Sequence, residues 1–79
     1  PGAGWAVQVG SFAEETNALV LRDRLREQGF EAFTEQGSAD GRTLWRVRVG
    51  PVATRARADA LRERLEQKRD EDALVVSYP

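Results

Sequence analysis

Trp5-Ala6-Val7-Gln8-Val9-Gly10 returns forty residues later as Trp45-Arg46-Val47-Arg48-Val49-Gly50. Both copies alternate apolar and other residues, the period-two pattern of a strand with one buried face. The match runs on past these six residues. Ala13 aligns with Ala53, Ala18 with Ala58, Leu21 with Leu61, Arg22 with Arg62, Arg24 with Arg64 and Leu25 with Leu65. That makes ten identities over the twenty-three positions 5–27 and 45–67. The chain is therefore two copies of one supersecondary unit, and two copies close on each other rather than stacking into a solenoid.

Behind each strand lies a helix signal. Ser11-Phe12-Ala13-Glu14 has the spacing of a capping box, which predicts that the first strand ends at Gly10 and that the Ser11 hydroxyl opens a helix. In the second unit Thr54 is the expected cap. Ala18, Leu21 and Leu25, like Ala58, Leu61 and Leu65, fall at i, i+3 and i+7, one narrow apolar stripe per helix. Gly29 closes the first helix at about residue 28. Phe30 to Glu35 reads as a second strand. Residues 36–42, with Gly37, Ser38, Asp40 and Gly41, read as a fairly long hairpin loop. The second helix runs to about Lys68, Arg69-Asp70-Glu71-Asp72 connects, and Ala73 to Ser77 supplies a fourth strand.

The order βαββαβ with right-handed crossovers predicts an α+β, ferredoxin-like (RNP-like) sandwich: a four-stranded antiparallel sheet of order 4-1-3-2 with two helices on one face. Residues 1–4 read as a linker remnant, and 5–79 as one domain built from the repeats 5–35 and 45–77. Its other sheet face is left open to solvent. Alternation turns Val7, Val9, Val47 and Val49 toward the helices, with Trp5 and Trp45 in the same phase, and leaves Ala6, Gln8, Arg46 and Arg48 outward on the central strands. Phe30 and Ala32 suit the core, so Glu31, Phe33 and Glu35 point out. Gln8, Arg46, Arg48 and Phe33 would make a polar, cationic floor with one aromatic, and Ser11 stands at its rim.

Composition narrows the chemistry. Among 79 residues there is no Cys and no His, which removes disulfides, Cys/His zinc sites, thiol nucleophiles and His-based acid/base catalysis. No catalytic residue, metal or cofactor is expected. A small hydrolase of the acylphosphatase kind would need a water-positioning Asn, and the only one, Asn17, lies inside the first helix. Twelve Lys+Arg against thirteen Asp+Glu leave a formal charge of −1, so no global field draws nucleic acid. Single-stranded RNA binding, the use other βαββαβ domains make of an open sheet, also lacks its central-strand aromatics. A protein-protein interaction domain using Phe33 and the sheet edges is the remaining alternative. No stretch approaches the roughly 20 apolar residues of a membrane span, and a start at Pro1 without Met reads as a domain cut from a longer chain. The alternating helix charges fit solvated faces.

The runs Trp5 to Phe12, Asn17-Ala18, Gly29-Phe30-Glu31-Ala32-Phe33 and Trp45 to Pro51 resemble the SPOR domain pattern in order and spacing over about residues 5 to 77. The ending Leu74 to Pro79 is similar to that of DedD- or FtsN-type cell division proteins. The resemblance implies a non-catalytic peptidoglycan-binding module that recognises glycan strands lacking stem peptides and targets its parent protein to the division septum. It implies a bacterial periplasmic or cell-envelope location, membrane attachment only through a segment outside this sequence, no nucleic acid partner, and a monomer. By position, the family's binding surface falls on Gln8, Ser11, Arg46 and Arg48, with Phe33 beside them.

Overall fold

The Val-x-Val runs become the two central strands of a single sheet. The computed structural model describes residues 4–79. Its elements are β1 (Gly4–Phe12), α1 (Glu15–Glu27), β2 (Ala32–Ala39), β3 (Arg42–Val52), α2 (Arg55–Arg69) and β4 (Leu74–Tyr78). The sheet order is β2-β3-β1-β4, antiparallel throughout, as the repeat predicts. Gly4, assigned by sequence to a linker, is the first residue of β1 and pairs with Tyr78. The rest of that expected linker, residues 1–3, lies outside the described residues.

Both helices cover one face. Val7, Val9, Val47 and Val49 pack there with Ala18, Leu25, Phe30, Ala32, Ala58 and Leu65. The small Ala18 and Ala58, each fully buried, let the helix axes approach the sheet, while Leu25 and Leu65 fill the layer between. Burying each leucine contributes about 1.5–3 kcal/mol. Trp5 and Trp45 pack against this cluster, in the phase alternation predicts, and the Arg55 guanidinium lies 5.3 Å from the Trp5 ring centre.

Helix ends divide the local predictions. The Thr54 hydroxyl accepts from the Arg57 amide at 3.1 Å, and Gly29 takes φ +90 after α1, both as expected. Ser11 does not cap α1. Its N-cap is Glu14, with no side-chain capping bond, because β1 continues past Gly10 to Phe12. The continuation is possible through a bulge: Gln8 pairs with Arg48 and Gly10 with Val47, so Val9 is the extra residue on β1. A Cβ at Gly10 would fall 2.9 Å from the Phe12 ring and 3.2 Å from Leu21, which explains a glycine there without a strand end.

The β2–β3 connection is also tighter than its composition suggests. Strand pairing extends to Ala39 and Arg42, leaving Asp40 and Gly41 as a two-residue turn with φ 51 and 75. Two positive φ values in succession are the type I′ geometry that matches the twist of paired strands, and Asp-Gly is its signature. Gly37 and Ser38, read as loop, are strand residues.

Candidate functional site

On the face without helices the register brings the outward residues into rows. Phe33 stands opposite Arg48, Arg48 opposite Gln8, and Gln8 opposite Leu74. In the next row Glu35 stands opposite Arg46, and Arg46 opposite Ser11. The bulge at Val9 produces this second row. Without an extra residue, Ser11 would alternate onto the helix side, three positions after Gln8. All five residues singled out from sequence thus share one face, and Ser11 reaches it for a reason that no capping rule contains.

The two arginines are not equivalent. Arg48 donates from Nη1 to Glu35 Oε1 at 2.6 Å and from Nε to Gln8 Oε1 at 3.2 Å, and its side chain is only 19 % exposed. It is an ion-paired bridge across three strands rather than an open cation. Arg46 leans along the sheet past Glu35 and lies over Gly37: a Cβ there would sit 2.9 Å from Arg46 Cζ and collide with Nη1. Among the described residues Arg46 forms no ion pair. The two arginines expected on the floor therefore differ: an acidic side chain on the neighbouring strand reaches Arg48 diagonally, while Arg46, and exposed Arg42 in the same alternation at the turn end of β3, are left without such a partner among the described residues.

Sequence reading understated two groups. Glu35 is the counter-ion of Arg48, a role that only cross-strand register reveals. Tyr78 on β4 meets Phe33 on β2, ring centres 5.3 Å apart at 63°, an edge-to-face pair worth about 0.5–1.5 kcal/mol beyond its burial. Ala6 is fully buried yet stands outside the cluster beneath the helices, in phase with Gln8. Its methyl therefore belongs to the open face, at the end where the two rings close in from opposite edges of the sheet. Leu74, 59 % exposed, is a further apolar group on this face, beside Gln8. Ser11, Arg46, Glu35, Arg48 and Gln8 thus form a polar centre, with Phe33 and Leu74 at the two ends of the Arg48–Gln8 row, Ala6 and Tyr78 toward one end of the face and Leu44, opposite Gly37, toward the other. Among the described residues no three acidic side chains gather as a metal-holding group.

The SPOR domain family profile matches residues 1–77. This chain belongs to the SPOR domain family. The SPOR fold is shared with the peptidoglycan-binding domain of the B. subtilis cell wall lytic enzyme CwlC, at 28 % identity, 100 % of this chain, 95 % of that one and a TM-score of 0.74. It is shared with the RlpA SPOR domain of Pseudomonas aeruginosa, at 23 % identity, 96 % and 100 % coverage and a TM-score of 0.78. A third neighbour is the SPOR protein DedD, at 23 % identity and a TM-score of 0.72, covering 98 % of this chain but 40 % of that one. No curated protein matches the chain significantly.

Proposed function

We propose that this SPOR domain is a peptidoglycan-binding module whose open sheet face takes glycan strands stripped of their stem peptides. The observation that carries the reading is Arg46, without an ion pair among the described residues, between Ser11 and Gly37, with Gln8 held beside it by Arg48. Membership of the SPOR family and likeness to the CwlC domain support the ligand class.

The chemistry follows from that arrangement. Cleaving a stem peptide from its lactyl group turns an amide into a free carboxylate. Arg46 has the planar fork to take it with two parallel bonds, a geometry Lys lacks. Gln8 accepts from Arg48 through its oxygen, which leaves its two amide hydrogens for acetamido carbonyls or hydroxyls, while Ser11 both donates and accepts. The paired rings of Phe33 and Tyr78 offer a surface for the less polar faces of the sugar rings. An intact peptide removes the charge and adds bulk over a flat floor, so it is rejected. Recognition of this kind would carry a parent protein in the bacterial periplasm to septal sites where amidases act.

Co-sedimentation with sacculi, before and after amidase treatment, tests the proposal. Binding should rise after amidase, and Arg46→Ala and Gln8→Ala should each weaken it with the fold intact. Binding indifferent both to amidase and to the two substitutions would overturn the assignment and favour a protein partner.

A further inference from the structure

We infer that Glu35 is a specificity element: a built-in anion that occupies Arg48, so that the centre of the open face presents Arg46 alone and discriminates against densely charged polyanions. The inference rests on the proposed use of this face for glycan.

The observations are geometric. Glu35 stands directly opposite Arg46 in the strand register, yet its carboxylate bonds Arg48, one row away, at 2.6 Å. Arg46 is thereby left unneutralised, lying over the bare backbone of Gly37. Arg48 is largely covered at 19 % exposure, whereas Glu35 keeps 42 %. A ligand crossing the middle of the face therefore meets the Arg46 guanidinium and, next to it, a partly exposed carboxylate, while Arg42 stands further along β3 at the turn end. For a strand with one carboxylate per repeating unit this costs little: the anion sits on Arg46 while neutral sugar groups pass Glu35, which can accept from their hydroxyls. A polymer carrying anions at every unit must bring a second negative charge against Glu35, where like charges repel and Arg48 is already committed. The same bridge aims Gln8, because Arg48 Nε fixes its carbonyl oxygen.

Glu35→Gln keeps size and hydrogen-bonding capacity while removing the charge, so it should free Arg48. Glu63→Gln on the exposed side of α2 makes the same change in net charge away from the face and is the control. The probes are heparin, a densely sulfated polysaccharide, and amidase-treated glycan, each measured across a salt series. With Glu35→Gln, heparin affinity at low salt should rise about five- to tenfold over wild type, and its log–log salt dependence should steepen by about one, as expected for one added cation contact. Glu63→Gln should leave that slope unchanged. A heparin affinity and slope in Glu35→Gln no different from Glu63→Gln would refute the inference, whatever the glycan result. Loss of glycan binding by the wild type would instead refute the glycan reading, and the heparin comparison would still decide the role of Glu35.

Discussion

Gly37→Ala separates binding from folding at one atom. Gly37 is not among the glycines with left-handed backbone, which are Gly29, Gly41 and Gly50, so alanine can adopt its strand conformation. Replacing glycine inside a strand gains about 0.5–1 kcal/mol by restricting the unfolded chain. Against this stands the new Cβ, which would lie 2.9 Å from Arg46 Cζ and overlap Nη1. The obstacle is the tip of a flexible side chain, free to swing into solvent, so net stability should stay within about 1 kcal/mol of wild type. Binding should not escape. The methyl takes the place where Arg46 now rests, and a charged hydrogen-bonding contact is worth about 1.5–3 kcal/mol. Losing half or more of it gives about 1–2 kcal/mol, roughly a five- to thirtyfold weaker complex with stripped glycan. Urea unfolding followed by the fluorescence of Trp5 and Trp45 measures the first quantity, and co-sedimentation with amidase-treated sacculi the second. The reasoning fails if Gly37→Ala binds within twofold of wild type while Arg46→Ala does not, or if the substitution costs more than about 2 kcal/mol of stability.

Three further outcomes follow from the helix ends and the core. Thr54→Ala should cost about 1 kcal/mol in urea, since the Arg57 amide loses its acceptor. Ser11→Ala should cost under about 0.5 kcal/mol yet weaken glycan binding, because Ser11 is an exposed strand residue beside Arg46 and caps nothing; a cap-sized stability loss at Ser11 would contradict the structure. Leu65→Ala, at a fully buried position, should cost about 2–4 kcal/mol, a large share of the roughly 4–12 kcal/mol expected for a domain of this length, and a loss below 1 kcal/mol would mean the core had collapsed around the gap.

The elements that were legible in the sequence are those whose signal is local and repeated. Trp-x-Val-x-Val occurs twice with the same phase, so the central strands, their inward valines and the outward Gln8, Arg46 and Arg48 could be assigned from alternation alone. The helical stripes at Ala18, Leu21 and Leu25 and their counterparts, the Thr54 cap and the Gly29 stop are of the same kind. Ser11 and the 36–42 segment misled because their composition has two physical uses. Ser-x-x-Glu suits a capping box, but a β-bulge lets the strand run through it. Gly37 suits a turn, but equally suits a strand over which a neighbouring arginine must lie.

The sequence by itself determined the repeat, the βαββαβ order, the sheet face that stays open and the residue types on it. Periodicity and the right-handed crossover leave few other ways to bury two apolar stripes on one sheet. Only the tertiary structure decided which of those residues are available. The pairing of Arg48 with Glu35, thirteen residues away, and with Gln8, forty away, depends on register and on diagonal reach across a twisted sheet. So does the approach of Phe33 and Tyr78 from opposite edge strands. Alternation says which way a side chain points, but a charge is neutralised by whatever the fold sets within about 3 Å of it, and that distance is a property of the assembled sheet.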